Sequence, residues 1–437
     1  MAAEVARGYA GPMAMHLDRR ALLIASATTA AACGAVGRKE VPARAADQGA
    51  ARAELFAHLE RVAHGQAPIS AAERAQRRAR AARLLAAHGA DAVLVEPGAT
   101  MAWLTGVSFG RSERLFALLL LADGSHAWIC PAFEASRVRG KIAECGGEIV
   151  AWQEHEHPSR PLAAELQRRR VDTLLVENAV RHVHVGRLAR EWSGRIVLGD
   201  LWLVDLRARK DAHELALLRR ANELTQLALS AVAATLEPGI DGDEVAARMA
   251  AAHAALSMKG SWCLALVGES AALPHGDNSP RPIARGDLLL VDTGATLLEY
   301  QSDHTRTWCV EGEPEEEARR AWLATRDAQQ AAYAAIKPGA RCKDVDAAAR
   351  AVLERAGFGA GYEALTHRLG HGIGVEGHED PYFDGGSEVV LEPGMTFSDE
   401  PGVYREGRYG VRLEDIVVVV EGGADHFGHW PVDWTAP

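Results

Sequence analysis

Cysteine is scarce in this sequence, and its few copies lie far apart. The 437 residues contain six cysteines, which are Cys33, Cys130, Cys145, Cys263, Cys309 and Cys342. No two of them form a Cys-x-x-Cys pair. The spacing therefore predicts neither a zinc site built from thiolates nor a dense disulfide framework.

Positive charge is also in short supply. Lysine and arginine number 48 against 59 aspartates and glutamates, so the formal net charge is −11. A protein that binds nucleic acid needs a basic surplus to neutralise phosphates. We therefore expect no nucleic-acid partner. The hydrophobic share of 48% and the charged share of 24% are ordinary for a globular protein, and the length allows two domains.

The N-terminal region lacks an apolar run long enough to cross a membrane. The uncharged stretch ALLIASATTAAACGAVG follows Arg19 and Arg20, and it is too short to span a bilayer. A twin arginine before a modest apolar core is typical of a twin-arginine export signal. The sequence thus predicts a signal-like segment at 1–35 and export to the periplasm or the medium, without a transmembrane segment. The alternative is a cytoplasmic protein whose translation starts at Met13 or Met15.

The next part of the chain predicts a linker and then an α/β domain. Residues 36–52 are rich in alanine and polar residues, which indicates a linker. Across 53–205, helical patterns lead into apolar strands, as in RRARAARLLAAHG before ADAVLVEP and PLAAELQRRR before VDTLLVEN. The segments FALLLLADG and SHAWICPA predict a hairpin that turns at Asp123 and Gly124.

Residues 206–437 contain a weak internal repeat. Two helical patterns joined at Pro238 and Gly239 return a hundred positions later at Pro338 and Gly339. The segments ARGDLLLVDTG and EPGMTFSDEPG also align, and this alignment places Asp292 over Glu400. The repeat predicts a pseudo-twofold domain with a site on its axis; the alternative is coincidence in an alanine-rich chain.

Acidic side chains and one histidine lie within or next to the apolar strands predicted for this second region. A surface charge is the ordinary interpretation of each acid alone. Together, their apolar surroundings favour a metal site, because buried carboxylates need partners. Four carboxylates and one imidazole suit a pair of Mn²⁺, Co²⁺ or Zn²⁺ ions better than a structural zinc. The candidate ligands are Asp292, Asp303, His371, Glu400 and Glu414.

Further polar residues lie close to these ligands in sequence. His367 precedes His371 by four positions, His378 follows it by seven, and His275 lies in a turn-rich segment. A lone histidine is more often structural, but this clustering favours a role in catalysis or substrate positioning. Arg412 lies two positions before a ligand, so on a strand it would share that ligand's face and could hold a ligating carboxylate.

These motifs resemble those of the pita-bread metallopeptidases, which include methionine aminopeptidase, aminopeptidase P and the Xaa-Pro dipeptidases, or prolidases. The segments VDTGA, SDHTRT, THRLGHGIGVEGHEDP, EPGMTFSDEPGVY and GVRLEDIVVV stand in the family's order. The N-terminal region with its WLTG segment resembles the extra domain of prolidases and aminopeptidase P. Creatinase shares the fold but not the metals, so the intact ligand set counts against that relative. The resemblance implies an α+β fold with a pita-bread catalytic domain and a homodimer.

The resemblance also implies roles for the site residues. Asp292 would chelate one ion, Asp303 and Glu414 would bridge both, and His371 and Glu400 would complete the second. A hydroxide that bridges the two ions, most simply Mn²⁺, would attack the scissile carbonyl. Glu400 would carry the proton to the leaving nitrogen.

The remaining site residues are assigned to the substrate by the same resemblance. His275 and His378 would bind the carbonyl and the developing oxyanion, and His367 would line the pocket. Tyr382 and Phe383 are candidate walls of a slot for proline.

The implied reaction is hydrolysis of the Xaa-Pro bond at the N-terminus of dipeptides or short proline-containing peptides. Prolidases often carry an arginine that binds a dipeptide's free carboxylate, placed between an HE motif and an EPG motif. In this chain the HE motif is His378-Glu379 and the EPG motif is 392–394, and no arginine lies between them. Arg405, Arg408 or an N-terminal-domain residue could replace it. The alternatives are aminopeptidase P-like activity on longer peptides, a pita-bread protein that only binds, or hydrolysis of a non-peptide amide or an organophosphate ester.

Overall fold

The computed structural model describes residues 43–277 and 281–437. The predicted signal-like segment at 1–35 lies outside the described residues. Among the described helices, none combines the length and apolar character needed to cross a membrane. Residues 48–437 form one compact unit, and the domain boundary near residue 205 stays a prediction.

The N-terminal part is a sheet covered by helices on both faces. Its helices are α1 Ala43–Phe56, α2 Ala71–Ala87, α3 Ala99–Thr105, α4 Ala135–Lys141, α5 Ser159–Arg168, α6 His182–Glu191 and α7 Asp200–Arg207. Its strands are β1 Ala92–Val95, β2 Ala117–Leu121, β3 His126–Pro131, β4 Glu148–Trp152, β5 Thr173–Val176 and β6 Arg195–Leu198. They lie in the order β4-β3-β2-β1-β5-β6.

Alternation along β1 shows why two helical layers are needed. Val93 and Val95 enter one apolar core, while Ala92 and Leu94 enter another on the opposite face. The predicted hairpin between β2 and β3 is present and antiparallel. Its turn is closed by the Ser125 amide, which donates to Oδ1 of Asp123 at 2.8 Å.

The prediction of a linker across 36–52 is wrong for its second half. Helix α1 covers Ala43–Phe56, because a run rich in alanine has high intrinsic helix propensity. Phe56 at its end is fully buried in the same core as Met249. Arg52 anchors the helix through an ion pair with Glu244, with 2.5 Å between Nη2 and Oε2.

The C-terminal part repeats a pair of helices followed by an antiparallel sheet. The helices are α8 Ala212–Ala233, α9 Gly242–Ala255, α10 Glu316–Ala335 and α11 Cys342–Arg355. The strands of the first half are β7 Lys259–Val267, β8 Leu288–Leu297, β9 Tyr300–Gln301 and β10 His304–Cys309. The strands of the second half are β11 Gly370–Gly372, β12 Glu379–Phe383, β13 Thr396–Asp399, β14 Gly402–Arg405, β15 Tyr409–Arg412, β16 Asp415–Val420 and β17 Gly423–His426.

The two halves agree in backbone detail. The first sheet has the order β10-β8-β7, and the second has the order β12-β11-β13-β16-β17. Gly239 and Gly339, which follow the equivalent helices, have φ of +98° and +86°. Gly286 and Gly394, which the sequence alignment pairs, have φ of +88° and +91°. These left-handed values favour glycine, which explains why glycine recurs at both places. The structure confirms the α+β class.

Sheet alternation separates the core from the site. Leu289 and Val291 of β8 face helices α8 and α9 in one core. Leu290 and Asp292 alternate with these two residues along β8, so their side chains point to the other face of the sheet. The helices therefore bury one face of the sheet and leave the other for chemistry.

Candidate metal centre

The first half of the domain supplies two of the candidate ligands from neighbouring strands. Asp292 lies within β8, and Asp303 directly precedes β10. In the antiparallel register Thr305 is opposite Asp292, so Asp303, two positions earlier, shares that face. The expected pairing of these two acids on one sheet face is what the structure shows.

The second half supplies the other three ligands, and hydrogen bonds tie the halves together. His371 lies in β11, Glu400 directly follows β13, and Glu414 directly precedes β16. The Glu414 amide donates to the Thr305 carbonyl at 2.9 Å. The Thr305 hydroxyl donates to Oε2 of Glu414 at 2.7 Å.

All five candidate ligands converge on one centre. Nε2 of His371 lies 3.7 Å from Oδ2 of Asp303, 3.6 Å from Oε1 of Glu400 and 3.9 Å from Oε1 of Glu414. Ligand atoms lie within 4.8 Å of one another in three overlapping groups. The groups are Asp292, Asp303 and Glu414; His371, Glu400 and Glu414; and Asp303, His371 and His378.

The carboxylates of this centre are crowded and short of partners. Burial, followed by the charge of Glu414, raises the pKa of Asp303 well above its usual range. Burial also raises the pKa of Glu414 well above its usual range, with the charges of Glu400 and Asp292 adding to it, and raises that of Glu400 to about 8. One oxygen each of Asp292 and Asp303 is buried without a hydrogen bond. Such oxygens fit divalent cations, which would satisfy them and cancel their repulsion.

The tautomer of His371 suits a metal ligand. Its Nδ1 lies 3.0 Å from the Gly372 carbonyl, which can only accept, so Nδ1 carries the proton. Burial lowers the pKa of His371 to about 3, which keeps the ring neutral. The lone pair of Nε2 therefore faces the carboxylates, as ligation requires.

Arg412 holds a ligand carboxylate, although not the one nearest in sequence. Its Nη2 donates to Oδ2 of Asp292 at 2.6 Å, and its Nε donates to the Thr305 hydroxyl at 3.2 Å. Its Nη1 reaches the Pro274 carbonyl at 3.1 Å and the Tyr404 hydroxyl at 3.0 Å. Arg412 thus links strand β8, which carries Asp292, to the loop of Pro274. His275 is the residue that follows Pro274 in this loop.

Tyr404 belongs to the same network, and the sequence patterns did not identify it. Its hydroxyl lies 2.8 Å from Nε2 of His367, whose Nδ1 lies 2.7 Å from the Arg368 carbonyl. Both ring nitrogens of His367 are therefore occupied, and its link to the centre runs through Tyr404, which accepts from Arg412. A tyrosine two positions after Pro-Gly in the EPGVY segment was the available signal.

The other two histidines lie at the open side of the centre. The His378 ring stacks on the His371 ring with 3.8 Å between centroids, and His378 is exposed. His275 is exposed too, and lines a cavity of 350 Å³ together with Leu264 and Leu266. Both are placed to meet a substrate that enters from solvent.

The proposed slot residues do not share a face. Tyr382 is opposite His371 across β11 and β12, so it stands beside the centre. Phe383, the next residue, is fully buried and stacks on Phe397 with 4.1 Å between centroids. Alternation along the strand sends Phe383 into the core, and its prediction as a slot wall is wrong.

The two arginines suggested as carboxylate grips are engaged elsewhere. Arg408 pairs with Glu315 at 2.8 Å and also with Glu317. Arg405 donates to the Phe358 carbonyl at 3.0 Å, and its guanidinium lies over that ring.

Comparison with known proteins assigns both parts of the chain. Residues 216–421 match metallopeptidase family M24, and residues 77–194 match the creatinase/prolidase N-terminal domain. The chain is 37% identical over 363 residues to the probable dipeptidase PepE of Mycobacterium tuberculosis, covering 82% of this chain and 95% of that one. It is 32% identical over 352 residues to an Xaa-Pro dipeptidase of Lactobacillus delbrueckii subsp. lactis, covering 78% and 94%. The crystal structure of dipeptidase PepE from Mycobacterium ulcerans superposes with a TM-score of 0.79 at 34% identity, covering 84% of this chain and 99% of that one.

Proposed function

Because the chain belongs to metallopeptidase family M24, we propose that it is a two-metal dipeptidase that hydrolyses the Xaa-Pro bond of free dipeptides. The observation that carries this proposal is the convergence of five candidate ligands from both halves of the domain, three of them buried and two partly buried. The name Xaa-Pro dipeptidase borne by one relative supports the substrate.

In this proposal Asp292, Asp303 and Glu414 would hold one ion, and His371, Glu400 and Glu414 would hold the second. Asp303 lies beside His371 and would therefore be shared by both ions. The oxygen-rich set favours Mn²⁺, with Co²⁺ or Zn²⁺ as alternatives. When bound, such ions lower the pKa of a water to about 7 and polarise a carbonyl.

The chain's own residues orient the substrate and move its protons. Glu400 combines a carboxylate at the centre with a pKa raised by burial, which suits a group that accepts a proton from water and delivers it to the leaving imino nitrogen. His378 and His275, on the solvent side, are placed to donate hydrogen bonds to the scissile carbonyl. His367 and Tyr404 hold Arg412, which orients Asp292.

The cavity beside Asp292 is our candidate for the N-terminal side chain of the substrate. Leu264 is opposite Asp292 in the β7–β8 register, so the two share a face. Leu266, Leu290 and Ala271 form a small apolar cluster against which Leu264 packs. An apolar side chain would bury surface there while its carbonyl lies at the centre.

Hydrolysis of Ala-Pro, Ala-Pro-Ala and Met-Ala-Ser in Mn²⁺ separates the family's activities. We expect turnover of Ala-Pro at least about tenfold above that of the tripeptides. Asp303→Asn should abolish turnover while circular dichroism stays unchanged, because a shared ligand is lost. Undiminished turnover in chelator would rule out the two-metal mechanism, whereas fewer than one bound ion per chain after Mn²⁺ supply would favour a protein that only binds. Export and a homodimer also stay proposals.

A further inference from the structure

Arg368 lies on the open side of the metal centre, two positions before strand β11. Its guanidinium carbon is 4.0 Å from the centroid of the Tyr382 ring. Tyr382 is opposite the ligand His371 in the antiparallel register, and opposite residues share a face. The stacked pair of Arg368 and Tyr382 therefore stands immediately beside the metal ligands.

The guanidinium of Arg368 has no acidic partner in the described part of the chain. Other arginines around the centre are neutralised: Arg412 pairs with Asp292, and Arg207 pairs with Glu376. Arg368 is exposed and forms no such pair.

Stacking on an aromatic ring prepares an arginine for a carboxylate. Contact with the ring face uses the plane of the guanidinium and leaves its edge, with the N–H donors, free. That edge matches a carboxylate through two parallel hydrogen bonds. Tyr382 thus holds Arg368 beside the centre through its ring face and a side-chain hydrogen bond, and the other N–H donors of the guanidinium remain for a carboxylate.

A dipeptide places its free carboxylate within reach of this side chain. Three bonds separate the scissile carbonyl carbon from the C-terminal carboxyl carbon, a distance below about 4 Å. A longer peptide has a neutral amide at that point. A positive charge beside the centre therefore distinguishes dipeptides from longer chains by charge.

We propose that Arg368, held on Tyr382, binds the C-terminal carboxylate of the dipeptide and restricts the enzyme to dipeptides. This inference rests on the proposed Xaa-Pro dipeptidase function. Arg368 would bind the carboxylate in place of the arginine that is missing between the HE and EPG motifs. Neither Arg405 nor Arg408 is free to provide that grip, because both have partners elsewhere.

The test compares Arg368→Gln with wild type on Ala-Pro and on Ala-Pro-amide, in Mn²⁺. Losing a charge-assisted bidentate contact should lower kcat/KM for Ala-Pro about 10- to 100-fold, mainly through KM. The amide has no carboxylate, so its kcat/KM should change less than about threefold between the two proteins. Arg408→Gln, which removes an arginine already paired on the surface, should leave both substrates unchanged.

A binding measurement gives a second readout. Calorimetry of the Mn²⁺-loaded protein should show proline, the product, binding about 10- to 100-fold more weakly to Arg368→Gln, with prolinamide unchanged. Equal losses for Ala-Pro and its amide would overturn the inference and leave the proposed function standing. If wild type cleaves no Xaa-Pro substrate at all, the proposed function fails, and this inference fails with it.

Discussion

Replacing Arg412 with methionine should destabilise the metal-free protein far more than the metal-loaded protein. Arg412 is 3% exposed, and its guanidinium binds Asp292, Tyr404, Thr305 and the Pro274 carbonyl. Among the residues that the structure describes, it is the arginine or lysine that forms an ion pair with a candidate ligand carboxylate. Bound ions would supply positive charge to the same acids, so its loss should then matter less.

The size of the effect follows from the burial of the pair. Removing one member of a buried ion pair costs about 3–5 kcal/mol, because the other charge is left uncompensated. At about 2.1 cal/mol/K of unfolding entropy per residue, that loss corresponds to about 3–5 °C in Tm for a chain of 437 residues. With Mn²⁺ bound we expect less than about half of this shift. Metal affinity should fall about 10- to 100-fold, as is typical when a residue that orients a ligand is removed.

Thermal unfolding in chelator and in Mn²⁺, with metal titration by calorimetry, measures both effects. Arg412→Lys keeps the charge but loses the forked pair of N–H donors. Its Tm and metal affinity should therefore lie between those of wild type and Arg412→Met. Arg408→Gln removes an exposed pair with Glu315 and should cost at most about 1 kcal/mol. Equal destabilisation of Arg412→Met with and without Mn²⁺, or unchanged metal affinity, would refute the reasoning.

Three further predictions concern pH, the ion pairs of Glu379 and the cavity lined by Leu264 and His275. Burial raises the pKa of Glu400 to about 8, so the metal-free fold holds a proton that the unfolded chain releases near pH 4.3. Above about pH 6.5 the histidines of the unfolded chain are neutral, as buried His371 is in the fold, so Tm in chelator should fall as pH rises from about 6.5 to about 8, while Mn²⁺ affinity increases over the same range. Glu379→Gln should cost about 3–5 kcal/mol in chemical denaturation, because buried Glu379 pairs with Arg207 and, at 2.7 Å, with Lys210. Leu264→Trp should fill the cavity beside Asp292 and raise KM for Leu-Pro at least about tenfold relative to Gly-Pro in steady-state assays.

Matched controls exist for each of these measurements. For Glu379, the control is Glu392→Gln, whose exposed carboxylate pairs with Arg209 at 2.6 Å and should contribute little. For the cavity, Leu264→Met conserves volume and should leave the Leu-Pro to Gly-Pro ratio unchanged. For pH, a Tm in chelator that rises between pH 6.5 and 8 would contradict the assigned titration of Glu400.

The sequence by itself determined the candidate ligand set and the duplicated framework. Carboxylates and a histidine placed among apolar strands have few explanations other than a cation. Glycines at Gly286 and Gly394 marked equivalent turns because few other residues adopt their positive φ. Both inferences are local, since they depend on residue type, spacing and backbone preference.

Only the tertiary structure decided which partner each side chain meets. Spacing suggested that Arg412 could hold a ligating carboxylate, but only the way the sheets join shows that this carboxylate is Asp292, 120 positions away. Period-two alternation placed Tyr382 and Phe383 on opposite faces, and only the packing of β12 on β11 showed which one enters the core. The stacking of Arg368 on Tyr382 was invisible for the same reason. Such contacts depend on how distant strands align, which local propensity does not specify.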